Sequence, residues 1–194
     1  MTYLKSASLL ALCLFLLPAM SLAQTAMTLQ DNSAISIDGT STLHDWTMTM
    51  EQDAVEGEAQ FKMNGNAIEG IEKLSISMMA EGLKSGKGAM DNNAYKALNT
   101  KDNPKITFVM KELASMENNG ETYNVEVTGD MSVAGATKEV TLPAACTLEG
   151  GTVKCTGSFT FNMTEFGVKP PSVMLGTIKT GDELVLNYEA VFAN

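Results

Sequence analysis

From residue 33 to the end of the chain, apolar and polar side chains alternate almost one by one. No other feature limits the fold as strongly. Successive residues of a strand point to opposite faces, so each alternating segment buries one face and wets the other. Val55, Ala59, Phe61 and Met63 alternate with Glu56, Glu58, Gln60 and Lys62, and Ile106, Phe108 and Met110 alternate with Thr107 and Lys111. The same pattern returns over residues 74–78, 125–133, 140–147, 153–163 and 184–189. Turn residues separate the runs: Asn64-Gly65-Asn66, Asn118-Asn119-Gly120, Ala134-Gly135-Ala136 and Thr180-Gly181-Asp182. About eight antiparallel strands result. A set of that size forms a sandwich or closes into a barrel.

Two segments break the alternation. Residues 89–100, "AMDNNAYKALNT", read as one short helix, with Asp91 as its cap and Ala94, Tyr95 and Leu98 at helical spacing. An irregular loop is the alternative. In residues 166–179, Pro170-Pro171 excludes a central strand, yet Val173, Met174 and Leu175 are apolar for a plain loop. That segment is either a lid over one end of the barrel or an ordinary packed crossover.

The N-terminus has a different layout. Lys5 gives a basic start, Leu9 to Leu17 is an unbroken apolar run, Pro18 ends it, and Ser21-Leu22-Ala23 places small residues at a cleavage site. This predicts a signal peptide over residues 1–23, too short to span a bilayer, and a single barrel domain over 24–194. An uncleaved anchor is the alternative. Cleavage would leave a soluble protein in the periplasm or secreted.

Charge narrows the partners. The formal balance is −10, and all 13 basic residues are lysines scattered along the chain. Nucleic-acid binders need basic stripes and arginine forks, so no nucleic-acid partner is expected. Anionic membrane surfaces are poor partners for the same reason. A homodimer is left open.

Cysteine use fits export. Cys13 lies in the leader, which leaves Cys146 and Cys155 around Glu149-Gly150-Gly151-Thr152. A two-residue Gly-Gly turn pairs 149 with 152 and 148 with 153, and so sets Cys146 opposite Cys155. That places both sulfurs within disulfide reach in an oxidising compartment. Two free buried thiols are the alternative.

Catalytic signals are sparse. The chain has no phosphate-binding loop, serine elbow, CxxC or HExxH. The enzyme case rests on His44 beside Asp45, and neighbours on a strand point apart. His44 is the sole imidazole, which is too few for a zinc site. Neither a metal nor a cofactor is expected. His44 reads as a structural residue at a strand entrance or as a ligand contact at a barrel mouth.

The 14 methionines say more. Many share strand faces with aromatics, and methionine adapts to irregular apolar shapes. An eight-stranded barrel is just wide enough to be filled by side chains or to hold one small ligand. Both outcomes stay open at this point. If the barrel holds a ligand, the inward face is expected to present Trp46, Met48, Met78, Phe108, Met110, Met131, Phe159, Phe161 and Tyr188. His44, with Lys84 or Lys87 near the helix start, would meet a polar head.

Four stretches carry a resemblance: "DGTSTLHDWT" (38–47), "MDNNAYKALNTKDNPKITF" (90–108), "VTGDMSVAGATKEVTLP" (127–143) and "FNMTEFGVKPPSVMLGTIKTGDELVLNYEAVF" (161–192). Together, and in this order, the chain resembles the YceI-like family of exported bacterial proteins. The resemblance implies a lipocalin-like barrel that carries a polyisoprenoid, fatty acid or related amphiphile, and binding rather than catalysis. The competing expectations are a stress-related interaction protein with a filled barrel and, last, an enzyme using His44.

Overall fold

The computed structural model describes residues 23–194, so the expected leader, apart from Ala23, lies outside the described residues. Twelve strands form one antiparallel sheet system: β1 (Ala23–Leu29), β2 (Ala34–Ser41), β3 (Trp46–Met50), β4 (Val55–Asn64), β5 (Ala67–Met79), β6 (Leu83–Lys84), β7 (Lys105–Asn119), β8 (Thr122–Val133), β9 (Ala136–Glu149), β10 (Thr152–Asn162), β11 (Ser172–Val173) and β12 (Ile178–Ala193). One helix, α1 (Gly88–Leu98), stands between β6 and β7. Eight strands close a ring in the order β1-β4-β5-β7-β8-β9-β10-β12, and β12 returns to β1. This is the expected all-β barrel. β2, β3 and β6 extend the sheet from residues 180–189 of β12, and β11 folds back on β12.

β1 was not expected. Its alternation is short and adjoins the leader, so nothing in the sequence set it apart. It closes the ring by pairing with β4 along most of its length and with β12 at Thr28–Ala193 and Leu29–Phe192.

Period two holds within each strand until a bulge resets it. In β7 the register against β8 shifts between Met110 and Glu112 and again between Leu113 and Ser115. The face shared by Ile106, Phe108 and Met110 therefore continues as Leu113 and Met116. An extra residue inserted into one strand moves every later side chain to the other face.

The Gly150-Gly151 hairpin has the expected register, since both glycines adopt positive φ (57° and 84°) and Cys146 pairs with Cys155. The two cysteines are disulfide-bonded with Cα atoms 4.0 Å apart, and both are buried. Replacing both by alanine is expected to cost about 2–3 kcal/mol by restoring freedom to the unfolded loop. The denaturant midpoint of the variant reads that loss directly. An unchanged midpoint would show that the ladder alone holds the hairpin.

The interior is unequal along the barrel axis. At the end bearing the 65, 120 and 150 turns, Phe61, Ile68, Tyr123, Cys146, Val153 and Phe192 pack solidly. Phe61 and Phe192 meet edge to face with centroids 5.8 Å apart. The Tyr123 hydroxyl accepts from the Ile68 amide at 3.3 Å, and the buried Ser33 hydroxyl accepts from Val191 at 3.0 Å, so neither polar group is stranded. The opposite end is covered by α1 and by residues 163–180.

A candidate ligand cavity under the helix

A cavity of about 380 Å³ occupies the half of the barrel beneath α1. Each wall comes from an alternating face. β2 supplies Ile35 and Ile37, and β3 supplies Trp46, Met48 and Met50. β5, β7 and β8 add Met78, Ile106, Met131 and Val133. β10 adds Phe161, and β12 adds Ile178, Leu184 and Leu186. The roof is α1, through Met90, Ala94, Ala97 and Leu98. These four fall at positions i, i+4, i+7 and i+8, an apolar helical stripe that could have been read from the sequence.

The helix is held down by its own sequence. The Tyr95 hydroxyl donates within reach of the Glu81 and Leu83 carbonyls at 2.8 and 2.9 Å, and it accepts from Lys84 at 3.0 Å. Asn99 ends the helix with φ 52°, and the buried Thr100 hydroxyl donates to Glu81 at 2.7 Å. Asp91 is not the N-cap expected from the sequence; that place is taken by Lys87. Asp91 instead turns back to accept from the Ser85 hydroxyl at 2.6 Å and the Ser85 amide at 2.8 Å. The correction has a simple cause: the helix begins three residues before Asp91, too early for it to serve as cap.

Those Ser85 bonds hold the Asp91 carboxyl below its ordinary value of 3.8. A lowered native value contributes stability that is complete above 3.8 and disappears as pH falls through the native value. Asp91→Ala is expected to cost about 1–3 kcal/mol at neutral pH, as for a hydrogen-bonded charged group. The gap between variant and wild type should narrow below the carboxylate range. Thermal melts at both pH values check this, and a gap that stays constant would rule out the charge as its source.

Polar groups in the wall are few and gather at the roofed end: Ser41, His44, Lys87, Asn93 and Thr180. None is a carboxylate. His44 lies in the β2–β3 loop, two residues before β3, not on the strand. Its Nδ1 meets the Asp45 carbonyl at 2.7 Å rather than the Asp45 carboxylate. The loop is tied by the Ser41 hydroxyl, which donates to the His44 carbonyl at 2.7 Å and accepts from the Leu43 and His44 amides at 3.2 Å. Among the described residues no group of three His, Cys, Asp or Glu side chains is placed to hold a metal ion.

Trp46 is fixed by two contacts. Its indole N–H donates to the Thr40 carbonyl at 2.9 Å, and its ring covers Gly39, where a Cβ would stand 2.2 Å from the ring. Of the residues expected to line the lumen, Trp46, Met48, Met78, Met131, Phe161 and His44 stand in the wall, as does Lys87. Phe108, Met110, Phe159 and Tyr188 do not. Phe108 and Tyr188 lie one pleat deeper than the last wall residues of their strands, Ile106 and Leu186. Met110 is one pleat deeper again. Phe159 stacks on Phe161, centroids 5.8 Å apart, where β10 has parted from β9 beyond the Ala145–Thr156 pair. Lys84 is taken up by Tyr95 and by Glu51 at 3.7 Å, with the Tyr95 bond chiefly raising its pKa.

The 166–179 segment divides in two. Phe166, Val168 and Pro171 enter the cavity wall, as a packed crossover does. The tip at Met174 and Leu175 is exposed and takes no part in the wall.

The comparisons agree with the fold. No curated protein matches the chain in sequence. The crystal structure of Burkholderia cenocepacia BcnA is similar, with TM-score 0.67 and 18% identity, over 84% of this chain and 98% of that one. A polyisoprenoid binding domain from Saccharophagus degradans, implicated in plant cell wall breakdown, is similar with TM-score 0.62 and 9% identity, over 89% of this chain and 99% of that one. At such identities these two likenesses speak for the fold alone. The YceI-like domain pattern, however, matches residues 23–192, which is nearly everything the ring contains. The chain therefore belongs to the YceI-like domain family.

Proposed function

We propose that this protein is an exported, soluble binding protein that sequesters or carries one long-chain apolar ligand in its barrel, and that it is not an enzyme. One observation carries the reading: a cavity of about 380 Å³ whose wall is apolar except for five residues at one end. That is the layout of a site for a chain with a polar head, in a volume range usual for ligand pockets. Burying each methylene contributes about 0.8 kcal/mol, so a chain binds without many polar contacts. The polyisoprenoid binding domain named above supports the ligand class. The apolar leader over residues 9–17 supports export to the periplasm or beyond. Against catalysis stands His44, whose ring nitrogen is engaged by a main-chain carbonyl and which has no second titratable group in the cavity wall except Lys87.

The test is extraction. Protein purified without detergent from its native host should release a reproducible apolar species on solvent extraction and mass spectrometry. A barrel that is always recovered empty, from several growth conditions, would sink the reading and favour the filled-barrel interaction protein.

A further inference from the structure

We infer that the lumen is built for a single-chain amphiphile with an anionic head and about a dozen methylenes, and that Phe108 and Tyr188 are the stop that sets this length. The inference rests on the ligand-binding reading above and names its substrate class.

The volume comes first. A methylene fills about the space of one water in the liquid, ~30 Å³, so a 380 Å³ lumen takes about a dozen of them. A branched polyprenyl chain of many units exceeds that several times over, and so does a two-chain lipid.

The stop follows from where the wall ends on each strand. On β7 the lining ends at Ile106, and the next inward residue toward the packed end is Phe108. On β12 it ends at Leu186, and the next is Tyr188. Both rings lie across a glycine of the neighbouring strand. A Cβ on Gly129 would stand 2.7 Å from Phe108 Cζ, and one on Gly157 would stand 2.6 Å from Tyr188 Cε2. The glycines let the two rings fold inward over the neighbouring strands, at the level where the wall of the lumen ends. The Tyr188 hydroxyl donates to the Pro143 carbonyl, which fixes that ring. Phe108 is 4% exposed and packed in the core. Beneath them the barrel is solid.

The head follows from charge. The chain carries 23 acidic residues against 13 lysines, yet the cavity wall contains one lysine and no carboxylate. Lys87, the Asn93 amide and the Thr180 hydroxyl offer donors at the roofed end, while the Ser41 proton is held by the His44 carbonyl. Such a set suits a carboxylate or a similar small anionic head.

The experiment titrates delipidated protein with the n-alkanoates from octanoate to docosanoate, with the matching n-alkanols, and with farnesol and solanesol. Trp46, the only tryptophan and a wall residue, reports occupancy by its fluorescence. Affinity should tighten about fourfold per methylene, the factor equivalent to 0.8 kcal/mol. The gain should stop near dodecanoate to tetradecanoate, and solanesol should not compete. Phe108→Ala should move the break to longer chains. Met131→Phe, which adds bulk to open space rather than removing core, should move it to shorter ones and keeps the test open if the alanine variant does not fold. Lys87→Gln should weaken dodecanoate about tenfold and leave dodecanol unchanged.

The failures are distinguishable. If no probe binds at all, the ligand-binding reading itself falls. If wild-type affinity keeps rising through docosanoate, or solanesol competes as well as dodecanoate, the length inference is overturned while that reading stands. A break unmoved by both Phe108→Ala and Met131→Phe removes the stop. Equal losses for acid and alcohol in Lys87→Gln, or none, remove the anionic head.

Discussion

Replacing Phe61 by alanine is expected to lower the unfolding free energy by about 3–5 kcal/mol, the usual range for a fully buried phenylalanine. Phe61 is 1% exposed and sits in the packed half of the barrel, edge to face with Phe192. Its strand, β4, pairs with β1, and Phe192 lies on β12 where β1 closes the ring, so one ring braces the closure from inside. The neighbours are themselves held by strand ladders and cannot collapse into the space. The lumen wall does not include Phe61. The loss should therefore appear as a lower denaturant midpoint, with the Trp46 emission of the folded state unchanged. A cost below about 1 kcal/mol would mean that the packed end rearranges as a liquid would, against the close packing of interiors.

Gly157→Ala is expected to be nearly as damaging, by the opposite route. The new Cβ would stand 2.2 Å from the Pro143 carbonyl and 2.5 Å from the Tyr188 hydroxyl. One obstacle is main chain and the other is a half-buried ring packed against the core and tied to Pro143, so neither yields cheaply. Overpacking costs about 1–3 kcal/mol. Losing the bond from the half-buried Tyr188 to Pro143 adds about 1 kcal/mol. Burial pushes the Tyr188 phenol up from 10.0 to about 12. A raised native value means that the unfolded tyrosine gives up its proton first, so wild-type stability should begin to fall as pH rises past 10. In Gly157→Ala the displaced phenol should titrate closer to 10.0. An ultraviolet titration separates the two, and a variant that keeps both its midpoint and its late tyrosine would contradict the close contact.

Much of the barrel is legible in the sequence. Alternation marks which face of a strand turns inward, and the Gly150-Gly151 turn fixes the Cys146–Cys155 pairing outright. What alternation cannot carry is depth. Phe108 and Trp46 obey the same rule, yet one lies under the lumen and the other stands in its wall. Depth depends on strand stagger and on bulges such as those in β7, which a period-two pattern does not reveal until partners are known. The helix itself is legible, through Ala94 and Leu98 at helical spacing, but a helical stripe does not say what it covers, so its place as the roof needs the barrel beneath it. The exposed Met174 and Leu175 have φ of 51° and 55°, which no sequence rule assigns to such residues.

The clasp between the first and last strands also governs how the molecule comes into being. Thr28 meets Ala193 across 165 residues of chain, among the most remote pairings available to it. The hairpins β4–β5, β7–β8 and β8–β9 are local and can form as soon as their turns exist. The ring cannot close until β12 is available to pair with β1. Topologies dominated by such distant pairings fold in milliseconds to seconds rather than microseconds. Until then β1 has one free edge, and the half-made barrel is open along its side. The same clasp brings Ala23–Leu29 and the C-terminus together, so a short linker could join them and new ends could be opened at the Gly120 turn. Such a permuted chain would keep every ladder intact while changing only the order in which the strands are born.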